Sequence, residues 1–216
     1  MSLRSKVGKA EEVSNITRQL RSCSALLCVL VLSAVLAQGC SSSGTASPAT
    51  ATGSVHCSSV SGSIANSPPL TTSGSAAETG TVTVKFSHCS TSGSNVSVVS
   101  SGVGTSTLTG TSSCSALVKS VAISIDTTWT PKSIKPSIIS FSGLSVTKDT
   151  AGDAGYALPG TGGRAKVIGS FAGNDKGAGS TVSVYTNETA TQLVSACSEP
   201  SGLASVTFAS GEATFG

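Results

Sequence analysis

The feature that most narrows the folds open to this chain is a strict alternation of polar and apolar side chains over Thr81-Val-Thr-Val-Lys-Phe86. Successive side chains of an extended chain point to opposite faces, so Val82, Val84 and Phe86 share one face. Shorter runs of the same kind recur between turn residues, at 96–99, 106–108, 164–171 and 180–185. Over 117–125, Leu117, Val121, Ile123 and Ile125 stay in phase. Two hairpins are expected, one joining 137–141 to 144–148 around Ser142-Gly143 and one joining 205–208 to 212–215 through Ser210-Gly211. Ser and Thr supply roughly a third of the residues, and charged residues only 11%. Much Thr, Val and Gly with little charge suits strands and turns better than helices.

One helix is expected, over about 187–198. Leu193, Val194 and Cys197 form a narrow apolar stripe at helical spacing, Thr186-Asn187 can cap its start, and Pro200 and Gly202 end it. The expected fold class is therefore all-β, an antiparallel β-sandwich with one short C-terminal helix.

An uncharged apolar run over 24–39 ends at Cys40. Arg18 and Arg21 stand just before it, with Arg4, Lys6 and Lys9 upstream. A basic flank, an apolar segment shorter than the ~20 residues a spanning helix needs, and small residues at the exit make a secretory signal. The expected organisation is a signal peptide over 1–39, Cys40 followed by a disordered Ser/Gly/Thr/Pro tether to residue 53, and a single β-rich domain over 54–216. Gly39-Cys40 before a Ser-rich stretch resembles the bacterial lipoprotein box, in which the cysteine is acylated and becomes the mature N-terminus. Ala37 and Gln38 depart from that pattern and also suit the ordinary signal peptidase.

Five basic and two acidic residues precede Gly39, which leaves eight of each sign in the remainder. A neutral chain without a basic cluster points away from nucleic acid as a partner. Cys23 and Cys28 fall within the signal. Cys57, Cys89, Cys114 and Cys197 then form two disulfides in an exported domain. Three pairings are open, and Cys57–Cys89 with Cys114–Cys197 is the one expected here, the second tying the helix to the sheet. Acylation of Cys40 leaves this set even.

Other motifs carry less. His56-Cys57 and His88-Cys89 suggest a metal site, but neighbours on a strand face opposite ways, and no metal is expected. Leu158-Pro-Gly-Thr-Gly162 matches a sortase signal without the apolar segment and basic tail that must follow, and reads as a turn. Gly160-Thr-Gly-Gly-Arg-Ala165 lacks the strand before and helix after that a dinucleotide loop requires. Asn174-Asp175 and Asp149 with Asp153 complete no calcium ligand series. No G-x-S-x-G elbow is present, and the expectation is no catalytic residue and no cofactor. Trp129 is expected in the core.

Ser67-Pro-Pro-Leu70, Cys114-Ser-Ala-Leu117, Thr128-Trp129, Gly169-Ser-Phe-Ala-Gly173 and Cys197 followed by Gly202-Leu203 together resemble a family of uncharacterised secreted proteins and lipoproteins of high-GC Gram-positive bacteria. The resemblance implies export and one domain, and brings no activity. The functional expectation is a binding or structural module held by Cys40 to the outer face of the cell membrane, with an envelope or extracellular ligand as partner. The alternatives are a freely secreted protein of the same fold and a hydrolase of envelope polymers.

Overall fold

The computed structural model describes residues 47–216 except Ser97, Ser120 and Val121. The expected signal over 1–39, Cys40 and the first part of the expected tether lie outside the described residues. The strands are β1 (Ser54–Leu70), β2 (Ala77–Ser92), β3 (Ser101–Thr111), β4 (Ile123–Thr130), β5 (Ser137–Phe141), β6 (Ser145–Lys148), β7 (Asp153–Leu158), β8 (Ala165–Gly169), β9 (Thr181–Thr189) and β10 (Leu203–Phe215). A short 3₁₀ turn, Cys114–Val118, precedes β4, and one α-helix, α1 (Ala190–Ser198), precedes β10.

The all-β expectation holds. The strands form one antiparallel sheet in the order β6-β7-β9-β10-β1-β2-β3-β4-β5-β8, curled into a half-barrel whose concave face packs on itself. Strand twist accumulates across so many strands and bends a wide sheet towards closure. At one point the two ends of the sheet nearly meet. β5 and β6, ninth and first in the order, are separated only by Ser142, Gly143 and Leu144. Here the Ser142 amide donates to the Arg164 carbonyl at 2.8 Å and the Gly160 amide to the Gly143 carbonyl at 2.9 Å.

That link corrects the first expected hairpin. Residues 137–141 and 145–148 are both strands but do not pair with each other; β5 pairs with β4 and β8, and β6 with β7. The second hairpin is corrected too. Residues 203–215 form one strand lying between β1 and β9, and Ser210 marks only a register shift against β9. With a neighbour on each side the backbone has its hydrogen bonds without reversing.

Two strands carried too weak a pattern to be read. β1 sits near the middle of the sheet, yet its buried Val55, Cys57 and Val60 break period two at Ser58-Ser59. In β7, Ala154, Gly155 and Tyr156 are buried in succession because Tyr185 of β9 packs over Gly155. β3 is longer than 106–108: its inward positions include Gly102 and Gly104, where a Cβ would stand 2.8 Å from the Trp129 ring and 2.6 Å from Ile125 Cγ2. Leu117 belongs to the 3₁₀ turn and not to a strand running to Ile125, while Val121 lies outside the described residues. Residues 96–99 form no strand where described, although Val99 is buried.

The helix begins at Ala190, and its cap is Thr189 instead of Thr186-Asn187, which lie within β9. The Thr189 hydroxyl accepts from the Gln192 amide, and the Gln192 side chain accepts from the Thr189 amide, a reciprocal capping box. Leu193 and Cys197 are buried, while Val194 is exposed.

One end of the half-barrel is filled by aromatic rings. Phe86 and Phe215 meet edge to face at 5.2 Å, as do Trp129 and Phe171 at 5.1 Å. Trp129 is buried, as expected, and its Nε1 donates to Ser137 Oγ at 2.9 Å. The Ser137 hydroxyl donates in turn to the Ser170 carbonyl at 2.7 Å. The end of the expected tether is fixed at this same aromatic end. Ala51 is buried, its amide donates to Ser170 Oγ, and its carbonyl accepts from the Phe171 amide. Ala49 bridges to Ile134. Residues 49–51 of the expected tether thus belong to the folded domain, since an apolar side chain and four backbone groups find partners there.

Candidate functional site: an apolar cavity inside the curled sheet

The inward face of β2 reads Glu78, Gly80, Val82, Val84 and Phe86. Phe86 belongs to the aromatic plug. From Val84 back to Glu78 the same face lines a cavity of about 170 Å³ between the two halves of the curled sheet. Six residues of strand cover roughly 20 Å. Ile125 of β4, Tyr156 and Leu158 of β7, Val184 of β9, and Val206 and Phe208 of β10 complete the wall. Tyr156 and Phe208 pack edge to face at 5.8 Å. Exposed Thr109, Thr111, Ser115 and Lys119 also line the cavity, so its mouth lies beside the 3₁₀ turn, away from the aromatic plug.

Besides Asn66, whose Nδ2 donates to the Leu203 carbonyl at 3.2 Å, two polar groups interrupt the apolar wall. Glu78 is 6% exposed, and its Oε1 is buried with no hydrogen-bond partner among the described residues. Among the described residues no charged partner offsets its burial, and desolvation raises its pKa above the ordinary 4.5. Glycines leave room for the carboxyl group. Gly80 follows on the same face, and Gly110 is the cross-strand partner of Glu78 on β3. Tyr156 is the second group; burial pushes its hydroxyl pKa up, and it has no hydrogen-bond partner among the described residues.

One disulfide braces the mouth. Cys114 opens the 3₁₀ turn, and its bond to Cys197 fastens that turn to α1. Cys57–Cys89 joins directly opposed residues of β1 and β2, with Cα atoms 4.0 Å apart. Both expected pairings are formed. With the sulfurs committed to each other, the two His-Cys pairs offer no thiolate. His56 is exposed, with Nδ1 3.0 Å from Thr214 Oγ1, and His88 is exposed beside Cys89. Among the described residues neither ring meets a carboxylate. Among the described residues no cluster of three or more His, Cys, Asp or Glu is suited to a metal ion. Asp149 Oδ1 accepts from the Ala151 and Asp153 amides and closes a turn. The stretch 159–163 is a turn as well.

Sequence reasoning missed the cavity. Glu78 was the available signal: a carboxylate in phase with Val82, Val84 and Phe86, where period two places it inside. The chain matches no protein-family model, no curated protein and no solved structure.

Proposed function

We propose that the chain is an exported cell-envelope protein, held at the outer face of the membrane by a lipid on Cys40, whose β-domain is a binding module for an apolar ligand. The observation that carries the binding part is the cavity from Glu78 to Val84, walled by aliphatic and aromatic side chains and open at one end. Concave apolar sites with a few placed polar groups are the usual form of a small-molecule site. Export is supported by the basic flank and apolar run before Cys40 and by two disulfides, which persist in oxidising surroundings. The resemblance to secreted proteins and lipoproteins of high-GC Gram-positive bacteria points the same way.

The test of binding is a fluorescent alkyl probe titrated into the mature protein and into Val82→Phe, which fills the channel. The probe should saturate the unmodified protein and lose at least tenfold in affinity with Val82→Phe. Equal binding by both rejects the cavity as the site. The test of the address is fractionation with Cys40→Ala, which should move the protein from the membrane pellet to the medium; retention in the pellet rejects the anchor.

A further inference from the structure

We infer that the cavity takes a neutral amphiphile with one short alkyl chain of about six carbons, an alcohol or a monoacylglycerol, whose hydroxyl donates a hydrogen bond to Glu78 Oε1. This rests on the binding reading above and adds the class of ligand.

The volume sets the tail. A dry apolar cavity of ~150 Å³ holds one benzene ring, whereas sites for drug-sized ligands run from ~300 Å³ upward. Here about 170 Å³ is bounded by residues that stretch roughly 20 Å along β2. By that yardstick the space holds a benzene-sized group or one alkyl chain of about six carbons. Fused rings and paired chains do not fit it. The aromatic plug of Phe86, Trp129 and Phe215 closes the far end, so a chain enters tail first and leaves its head at the mouth.

The polar groups set the head. Glu78 is 94% buried, and its Oε1 is an acceptor with no protein donor. Leaving such an atom unpaired costs stability unless something supplies a donor. A hydroxyl does so without adding charge. A carboxylate head would set a second acid beside Glu78 in a poorly solvated site. A cationic head would meet Lys119 at the same mouth, which has no ion-pair partner among the described residues. The glycines at 80 and 110 keep clear the space in which the carboxyl group and its donor meet. Ala51 is held at the aromatic end, opposite the mouth.

The experiment is competition of hexane, hexanol, monohexanoylglycerol, hexanoate and hexylamine against the alkyl probe on the mature protein, Glu78→Leu and Glu78→Gln. Hexanol and the monoacylglycerol should each bind the unmodified protein at least tenfold more tightly than hexane. Glu78→Leu should erase that preference while leaving hexane affinity within about twofold. Glu78→Gln, which keeps a carbonyl acceptor, should retain part of it. Hexane binding by each variant certifies a folded cavity. A preference that survives Glu78→Leu, or tightest binding of hexanoate or hexylamine, overturns the inference and leaves the cavity reading intact. If no alkyl compound binds, the cavity reading itself falls. Of the two hydroxyl ligands, the tighter names the source: a glycerol head that adds affinity points to an acylglycerol, and one that does not points to a free alcohol.

Discussion

A Cβ on Gly80 would stand 3.2 Å from Oε1 of Glu78, two positions earlier on the same inward face of β2. The carboxyl group therefore lies along the cavity wall over a residue that has no side chain to exclude it. A buried acid, an empty space beside it and an apolar channel beyond are parts of one arrangement, and they yield predictions that do not need the ligand.

The first concerns pH. Burial raises the Glu78 pKa, so the folded state holds this proton more tightly than the unfolded chain. Its contribution is fully present below the ordinary value of 4.5 and is lost as pH rises through the higher folded value. Urea unfolding of the unmodified protein should show stability falling across that window relative to Glu78→Gln, whose curve lacks this component. Parallel curves for the two proteins would show that Glu78 is not desolvated.

The second concerns the inner face of β3. A Cβ at Gly104 would come within 2.6 Å of Ile125 Cγ2 and 2.8 Å of Val84 Cγ2. Gly104→Ala should lower stability by about 1–3 kcal/mol, the usual cost of overfilling a packed core. Denaturant midpoints measure this, and an unchanged midpoint would mean that β3 does not approach β4 so closely.

A third test uses the single tryptophan. Ser137 accepts from Trp129 Nε1 and donates to the Ser170 carbonyl. Ser137→Ala leaves a buried N–H and a buried carbonyl without this partner, at a cost of about 1–3 kcal/mol. Intrinsic fluorescence during thermal unfolding reports both the loss and the altered surroundings of Trp129.

The fourth separates the two disulfides. Cys114–Cys197 closes a span of 83 residues and Cys57–Cys89 one of 32. In the chain-entropy picture the longer loop contributes more, about 4.5 against about 3.7 kcal/mol. Replacing Cys114 and Cys197 together by Ala should cost more than replacing Cys57 and Cys89. It should also speed hydrogen exchange in α1, which the 3₁₀ turn otherwise holds. Slower or unchanged exchange in α1 would show that Leu193 alone keeps the helix docked.

Much of this domain was legible in the chain itself. Val82, Val84 and Phe86 announced a half-buried strand because period two survives any tertiary arrangement. Leu193 and Cys197 announced a helix face, and four cysteines behind an apolar run announced two disulfides, while the choice among three pairings was made by the fold. Local pattern fails where partners lie on both sides or where small residues replace apolar ones. β1 is rich in serine and still central, since β2 and β10 satisfy its backbone and the step from Cys57 to Val60 hides its phase. Gly102 and Gly104 look like turn residues, yet they are the space into which Trp129 and Ile125 pack.

Fold class, disulfides and a buried Trp129 were determined by the sequence alone, because side-chain periodicity, cysteine parity and apolar character act over a few residues. Which strand lies beside which was decided by the tertiary structure. The three residues between Phe141 and Ser145 bridge the two ends of a curled sheet instead of turning a hairpin, and that curl encloses the cavity. Glu78 acquires its buried, unpartnered oxygen only when strands distant in sequence close over it, and no stretch of chain around it carries that information.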